Sequence, residues 1–364
     1  MASSGTERTA EIVPQSDLFE GTPHPRETYA FFGHPEAETH LMATYRAGRL
    51  PQAILIGGPP GIGKATLAWR LARFLLANPN HALFSGADLL TAANHPVSMQ
   101  IAALAHPDLV LLRREWNFER KAFHSEIRID DVRRAGHLFQ QAAGRGGYRI
   151  CILDCADDLN ANSANALLKL IEEPPPRSLF LMIANRPGQL LPTLRSRCQK
   201  INLKPLIPAD IRDIVTTLGP PWSDADTPRL AAAIGSVPGS IHQALLRLSE
   251  GGLDLENSLT GLLKALPSVD WALVHALVDR IMARGHDRDY DVMLATIEAW
   301  LDVRVRLAAE SQPERGVARL APLAGVWEKL RDAVREAEIL NLDKRPLVLS
   351  LFADLAAAIE VSSL

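Results

Sequence analysis

A lysine at the end of a glycine-rich stretch is the clearest chemical feature of this sequence. The stretch GPPGIGKA covers residues 58–65, and its glycines let backbone N–H groups approach phosphate oxygens. The lysine would reach the terminal phosphates, and the start of a following helix favours an anion there. The pattern predicts that Gly58, Gly61, Gly63 and Lys64 bind the phosphates of ATP or ADP. The alternative is a glycine-rich turn between a strand and a helix that binds no ligand.

The residue after the lysine departs from the usual pattern. In P-loop NTPases a Ser or Thr stands there and ligates Mg²⁺, whereas this sequence has Ala65, which carries no oxygen in its side chain. Thr66 is one residue further on, and a helix turns by about 100° per residue, so its hydroxyl should point elsewhere. Ala65 and Thr66 therefore complete the predicted nucleotide-binding segment, but we do not expect it to hold Mg²⁺ well.

The second candidate site residue is an aspartate at the end of an apolar run. The run YRICILD ends at Asp154, which suits a Walker-B carboxylate that supports Mg²⁺. Many ATPases have a glutamate next that polarises the attacking water, and here that residue is Cys155. Asp157 and Asp158 are nearby but displaced. The sequence thus predicts nucleotide binding with slow or absent hydrolysis, and the alternative for Asp154 is a carboxylate that caps a turn.

The segments around these residues alternate between strand and helix patterns. Five short apolar runs predict strands, and the runs between them have apolar residues at helical spacing. Ser163 is the expected cap of the helix that contains ALLKLIEE, and Pro174 its stop. Such alternation predicts an α/β fold with a mostly parallel sheet covered on both faces. The predicted strands are AILIG, HPDLVLLRRE, YRICILD, SLFLMIAN and KINL.

The pattern changes after residue 206, where the sequence predicts only helices. Residues 1–28 are polar and rich in Ser, Thr, Glu and Pro, which predicts a flexible tail. We therefore divide the chain into that tail, a P-loop domain over 29–205, a small helical lid domain over 206–250 and an all-helical domain over 251–364.

Composition narrows the function classes. Apolar residues make up 47% of the 364 residues and charged residues 22%, which is ordinary for a globular protein. The formal net charge of −3 provides no global basic field for nucleic acid. Three cysteines without a CxxC motif argue against a disulfide framework. Since the sequence has no apolar run of membrane-spanning length and no signal-peptide pattern at its start, we expect no membrane partner and a cytoplasmic location.

A longer segment carries a family resemblance. The stretch SANALLKLIEEPPPRSLFLMIANRPGQLLPTLRSRCQKINLKPL resembles the AAA+ clamp-loader proteins of bacterial DNA replication, most specifically through NALLKLIEEPP and LRSRC. FFGHPEAETHL and NLDKRPLVLSLFADLAAA extend the resemblance to about residues 30–360, and it is most secure over 50–205. The resemblance implies an AAA+ P-loop domain, a helical lid and a helical collar that joins subunits in a ring.

The resemblance also implies roles for individual residues. Family members direct an arginine of the SRC motif at the ATP of a neighbouring subunit, and that motif is Ser196, Arg197 and Cys198 here. Asn185 matches the sensor-1 position, where a polar side chain contacts the γ-phosphate or water. His242 stands where active relatives carry a sensor-2 arginine, and it is shorter and mostly neutral at pH 7. Each residue has a simpler alternative. Arg197 could be an ordinary surface arginine, Asn185 could open a turn, and His242 could be an exposed helix residue.

The sequence departs from the family in one region. Many clamp-loader subunits have a four-cysteine zinc module between the P-loop helix and the second strand, and this chain has no cysteine there. His81, His95 and His106 lack the spacing of a metal site, so we expect no zinc. The structure of this region is therefore not predicted by the resemblance.

One basic and aromatic segment has two interpretations. REWNFERKAFHSEIR, residues 114–128, could contact DNA, since cations neutralise phosphates and aromatic rings stack on bases. The interpretation that we favour is a solvated loop between the second strand and a helix.

Three functional hypotheses follow. The first is a clamp-loader subunit that acts as a stator, donates Arg197 to a neighbour's ATP and has weak or absent ATPase activity of its own. Its implied partners are gamma/tau-type and delta-type subunits, with the sliding clamp and primer–template DNA contacted through the complex. The second is an active gamma-like motor ATPase, and the third an unrelated P-loop enzyme such as a small-molecule kinase. No complete metal site and no acceptor segment support the third hypothesis.

Overall fold

The computed structural model describes residues 13–140, 147–236, 239–283, 287–311, 313–340 and 342–363. The chain forms two compact units, and each takes in separate parts of the sequence. Unit 1 contains the chain up to Tyr29, Ala37–Gly57 and Ala65–Ile201. Unit 2 contains Ala30–Glu36, Gly58–Lys64 and the chain from Asn202 onward. Along the chain the break near residue 201 lies close to the predicted boundary at 205, but the glycine loop is grouped with unit 2.

Unit 1 is built on a parallel sheet. The strands of the described chain are β1 (Ala53–Gly57), β2 (Leu109–Leu112), β3 (Trp116–Asn117), β4 (Ala122–Phe123), β5 (Arg149–Asp154), β6 (Ser178–Ala184) and β7 (Gln199–Asn202). Five of them form one sheet in the order β2-β5-β6-β1-β7. β1, β2, β5 and β6 pair in parallel. Met182 of β6 lies opposite Leu55 of β1 on one side and Leu153 of β5 on the other.

Helices lie before, between and after these strands. The first six are α1 (Pro35–Arg46), α2 (Lys64–Ala77), α3 (Pro96–Ala102), α4 (Ile129–Gln140), α5 (Ala161–Glu172) and α6 (Pro192–Ser196). One face of the sheet packs on α4 and α5 through a core that includes Leu153, Met182, Val132 and Leu167. All residues of β1 and β6 are buried, as expected for a parallel sheet covered on both faces. The predicted α/β architecture is confirmed.

The start of α5 corrects one prediction. Asn160, not Ser163, is the N-cap, and its Oδ1 accepts a hydrogen bond from the Ser163 N–H at 2.8 Å. Both residue types cap helices well, so composition alone could not distinguish them. The helix ends at Glu172, two residues before the predicted stop at Pro174.

The predicted flexible tail is also corrected in part. Residues 1–12 lie outside the described residues. From Val13 onward the segment is anchored on unit 1, where Asp17 pairs with Arg113 and with His24, the latter at 3.0 Å between Oδ2 and Nε2. The Arg26 Nε donates to the Ala102 carbonyl at 2.9 Å. A few charged residues hold this segment. The prediction rests on the average composition of residues 1–28, which is polar and Pro-rich and does not reveal such single contacts.

The basic and aromatic segment forms a hairpin, which corrects the expectation of a solvated loop. β3 and β4 pair antiparallel, with Trp116 opposite Phe123 and their rings edge to face at 5.1 Å between centroids. Arg114 and Arg128 form ion pairs with carboxylates of unit 1. The DNA-contact hypothesis for this segment stays a prediction.

Unit 2 is helical. Its helices are α7 (Pro208–Leu218), α8 (Thr227–Gly235), α9 (Ile241–Leu248), α10 (Gly252–Ala265), α11 (Trp271–Ile281), α12 (Asp287–Ser311), α13 (Pro313–Leu340) and α14 (Lys344–Ser363). α12 packs on α9, α10 and α13, and α14 packs on α11 and α13. The division of this part into lid and collar domains stays a prediction. Among the described helices, none combines the length and the apolar composition that crossing a membrane requires.

Candidate functional site

The glycine loop follows β1 directly and leads into α2 at Lys64. Gly58, Gly61 and Gly63 have φ angles of +144°, +72° and +94°, a region that residues with a side chain rarely adopt. A Cβ at Gly61 would lie 2.4 Å from the Ser240 Oγ, and one at Gly58 would lie 2.7 Å from the Leu203 carbonyl oxygen. These two glycines are therefore required by packing within unit 2, independently of any phosphate.

Helix α9 holds the loop through its first residues. Ser240, the N-cap of α9, donates its Oγ–H to the Pro60 carbonyl at 2.9 Å, and the Ile241 N–H donates to the Gly61 carbonyl at 2.8 Å. The same Ser240 Oγ accepts from the Gln243 N–H, as an N-cap should. The start of this helix and the loop thus form one hydrogen-bonded group.

Two further side chains bind the same loop. The His34 Nε2 lies 2.8 Å from the Ile62 carbonyl oxygen and donates to it, and the Lys64 Nζ donates to the carbonyl of Pro59. Lys64 is 4% exposed. With the two bonds from α9, four successive carbonyls of the loop, those of residues 59–62, have donors inside unit 2. The loop is therefore fixed by the protein itself.

The residues after Lys64 are in the first turn of α2. Ala65 and Thr66 are both half-buried there. The structure places no side-chain oxygen at residue 65, so the part of the site that would bind the metal in a P-loop NTPase has one ligand fewer. Nucleotide binding at the loop and poor Mg²⁺ binding therefore stay predictions.

His242 is next to the loop, where its Cβ approaches Gly61. Desolvation lowers the pKa of His242, although the residue keeps an exposed surface. The imidazole is therefore neutral at pH 7, because its ordinary pKa is already near 6.5. A neutral ring at this position supplies no cation for a phosphate.

The carboxyl ends of the parallel strands form the other part of the predicted site, in unit 1. Asp154 is the last residue of β5 and pairs with Ile183 of β6, and Asn185 follows that strand. Gly57, at the end of β1, pairs with Ala184. The three strand ends therefore lie at the same edge of the sheet.

Asp157 connects the ends of β5 and β6. Its Oδ2 accepts the N–H of Asn185 at 2.6 Å and the thiol of Cys155 at 2.7 Å, and its Oδ1 accepts the N–H of Arg186 at 2.9 Å. The Asn185 Nδ2 in turn donates to the Cys155 Sγ at 3.5 Å. The sequence predicts no specific role for Asp157. The signal was present in the adjacent Asp157 and Asp158, but only the fold shows which of the two serves the strand ends.

Cys155 stands where many ATPases have a glutamate, and its thiol donates a hydrogen bond to Asp157. Burial, together with the negative charge of Asp157, raises the pKa of this thiol well above its ordinary value. A protonated thiol cannot accept a proton from water at neutral pH, so Cys155 is unsuited to act as a general base.

Arg197 lies at the C-cap of α6, and its side chain is 40% exposed. Its Nη2 is 2.6 Å from the Glu172 Oε1, and its Nη1 donates to the Thr193 carbonyl at 3.0 Å. The neighbouring motif residues serve the helix, since the Ser196 Oγ and the Cys198 Sγ donate to carbonyls of α6. Of the motif, Arg197 is the residue with a cation at the surface.

The three histidines of the region without cysteines make local contacts. The Nδ1 atoms of His95 and His106 accept from the backbone N–H groups of Val97 and Asp108, both at 3.2 Å. His81 packs edge to face on Tyr45. In the described ranges of the chain, no group of three or more His, Cys, Asp or Glu residues is arranged to hold a metal ion.

Comparison with known proteins adds independent information. Residues 33–207 match the family model described as "DNA polymerase III, delta subunit". The chain is 34% identical to the DNA polymerase III subunit delta' of Pseudomonas aeruginosa over 199 residues, which are 55% of this chain and 52% of that protein. It is 31% identical to the subunit delta' of Escherichia coli over 64% of this chain and 65% of that protein.

A third relative has a different subunit name. The DNA polymerase III subunit gamma/tau of Mycobacterium tuberculosis is 29% identical over 280 residues, which are 74% of this chain and 44% of that protein. The chain therefore spans between about two fifths and two thirds of the length of these three relatives.

Proposed function

We propose that this chain works as a delta-prime-like subunit of a clamp loader that helps load a sliding clamp on primed DNA. The proposal is supported by the match of residues 33–207 to the delta-subunit family model and by the 31–34% identity to two subunits delta'. The same matches favour this function over that of an unrelated small-molecule kinase. The proposed partners are gamma/tau-type and delta-type subunits, with the clamp and primer–template DNA contacted through the complex.

The specific role that we propose is to donate Arg197 to ATP bound by a neighbouring subunit. The observation that carries this role is a guanidinium at the surface of unit 1, anchored at the end of a short helix by one carboxylate and one carbonyl. An arginine finger supplied in trans stabilises the charge of the transferred phosphoryl group and contributes about 10³–10⁵ in kcat. The side chain is 40% exposed, so the guanidinium could contact a group outside this subunit.

The chain's own nucleotide site is proposed to bind ATP or ADP without rapid turnover. Lys64 and the loop glycines favour binding, and Asp154 keeps the Walker-B position. Three departures act against hydrolysis: Ala65 lacks the metal-binding hydroxyl, Cys155 is protonated, and His242 is neutral. Since Ala65 offers Mg²⁺ no side-chain oxygen, we propose no catalytic step at this site.

The retained Lys64 and Asp154 also favour the second hypothesis, an active gamma-like ATPase. The two hypotheses differ in where the chemistry occurs, so one experiment distinguishes them. Steady-state ATP hydrolysis is measured for the purified chain alone and for the complex with gamma/tau-type and delta-type subunits of the same organism, clamp and primed DNA.

Three variants make the comparison sharp: Lys64→Ala, Arg197→Ala and, as a control, Lys200→Ala, which removes an exposed cation of β7 three residues after Arg197. We expect the chain alone to be inactive. Of the three variants, only Arg197→Ala should lower turnover by the complex, by the share that the neighbour's site supplies. Turnover by the chain alone that Lys64→Ala abolishes would instead establish the motor hypothesis.

A further inference from the structure

The partner of Arg197 is the terminal carboxylate of another helix. Glu172 is the last residue of α5, and its Oε1 lies 2.6 Å from the Arg197 Nη2, while the Nη1 donates to the Thr193 carbonyl. Both terminal nitrogens of the guanidinium therefore make bonds within unit 1. An arginine used in trans must exchange at least part of this arrangement for phosphate oxygens.

The position of Glu172 is unfavourable for its own helix. A carboxylate in the last turn is repelled by the negative end of the helix dipole. The nearby arginine offsets this repulsion. Pairing with Arg197, and not the stability of α5, therefore explains an acidic residue at this position. Glu173, the C-cap residue, is also acidic and exposed, and among the ion pairs of the described residues the partner of Arg197 is Glu172.

The strength of the pair suits a contact that must be released. Glu172 and Arg197 are each 40% exposed. An exposed ion pair of this kind favours its closed over its open arrangement by only about 1.4- to 5-fold. A phosphate group offers more charge and accepts two parallel bonds from arginine, so it binds the guanidinium more strongly than one exposed carboxylate does. The phosphate therefore displaces the carboxylate, whereas water does not do so fully.

We propose that Glu172 is a positioning residue that holds Arg197 on its own subunit until a neighbouring subunit presents a nucleotide phosphate. This inference rests on the proposed trans role of Arg197. While the pair is closed, only a fraction of the arginine is available, and the apparent affinity for the neighbour's phosphate falls by that fraction. Glu172 thereby lowers ATP hydrolysis in complexes that have not yet bound clamp and DNA.

The test uses the full chain in the complex with its gamma/tau-type and delta-type subunits. ATP hydrolysis is measured at ATP concentrations below half-saturation, without and with clamp and primed DNA, at low and high salt. The variants are Glu172→Gln, which removes the charge at nearly constant shape, Glu173→Gln as the matched control, Arg197→Ala, and the double variant Glu172→Gln/Arg197→Ala.

We expect Glu172→Gln to raise the rate without clamp and DNA about two- to five-fold at low salt, since the competing anion is gone. The increase should shrink at about 1 M salt, where exposed charges are screened within about 3 Å. Glu173→Gln should behave as the wild type, and the increase should be absent in the Arg197→Ala background. A merely structural role of Glu172 would not give a salt-dependent gain that requires Arg197.

The opposite results are distinct. If Glu172→Gln leaves the rate unchanged or lowers it while Arg197→Ala is strongly impaired, Arg197 acts in trans and the holding role is wrong. If Arg197→Ala has no effect, the proposed function fails first and this inference with it. Glu172→Asp, whose carboxylate is one methylene shorter, provides a second variant should Glu172→Gln fold poorly, and it should give a smaller increase of the same sign.

Discussion

The glycine loop of residues 58–64 and the segment of residues 192–198 both match motifs of nucleotide chemistry, but the protein holds them differently. Four successive carbonyls of the loop have donors within unit 2, and Lys64 is 4% exposed. In the second segment, Arg197 is 40% exposed and is held by one carboxylate and one carbonyl. One motif is tightly built into its surroundings, and the other presents its cation to solvent.

This difference shows that a retained motif has more than one explanation. Gly58 and Gly61 would be needed even if no nucleotide were bound, because a Cβ at either position would meet protein atoms of unit 2. Arg197 is held by two bonds and keeps an exposed side chain, and its role outside its own subunit is the proposal that remains to be tested. The predictions below test each side of this comparison, beginning with the largest expected effect.

The largest effect concerns the shape of the cation. In Arg197→Lys the charge remains, but the planar fork that binds phosphate through two parallel bonds is lost. We expect hydrolysis at the neighbour's site to fall at least about a hundredfold, most of the about 10³ loss expected for Arg197→Ala. Single-turnover hydrolysis by the complex measures this, and near-normal activity in Arg197→Lys would mean that charge alone is sufficient.

Gly61→Ala should break the loop through packing. The new Cβ would lie 2.4 Å from the Ser240 Oγ at a φ of +72°, so both strain and overlap oppose it. We expect a loss of about 2–4 kcal/mol in the free energy of unfolding. Urea unfolding without nucleotide measures it, with Gly188→Ala as the control, since a Cβ there meets nothing within 4 Å. Equal stability of the two variants would show that the loop glycines serve only a ligand.

Asp157→Ala should loosen the ends of β5 and β6. It removes the acceptor of two backbone N–H groups and of the Cys155 thiol, and leaving such donors unpaired costs about 1–3 kcal/mol. We expect a lower melting temperature and faster hydrogen exchange at the Asn185 and Arg186 amides. The matched variant Asp158→Ala should leave the exchange of these two amides unchanged.

The thiols should report burial through the pH dependence of alkylation. Burial raises the pKa of Cys198 to about 11 and that of Cys151 to about 12. A raised pKa lowers the thiolate fraction at a given pH, so at pH 8 the folded protein should react about a hundredfold more slowly than the unfolded chain. The rate should rise with pH up to the folded pKa. Rapid labelling of native Cys198 at pH 8 would contradict this.

The smallest expected effect is that of Lys64→Ala on the complex. If the chain's own loop does not turn over nucleotide, the variant should change the rate of the complex by less than about twofold, because binding at this site adds no catalytic step. Equilibrium binding of labelled ATP to the chain alone should weaken. A loss comparable to that of Arg197→Ala would show that the comparison between the two motifs is wrong.

The sequence by itself determined the parallel sheet, the placement of the loop between β1 and α2, and Asp154 and Asn185 at strand ends. It could do so because these features depend on local patterns: continuous apolar runs for buried strands, helical spacing after them and glycines where a side chain would be strained. The comparison with the P-loop and Walker-B patterns also predicts that Ala65 and Cys155 act against hydrolysis.

Only the tertiary structure decided which side chains meet across long stretches of chain. Ser240 binds a loop that lies 180 residues earlier, Asp157 joins two strand ends, and Glu172 pairs with Arg197 across β6. The tail prediction failed over residues 13–28 for the same reason, since its anchor Arg113 is distant in the sequence. Such pairs depend on how the elements pack, and no local pattern of residue types specifies that packing.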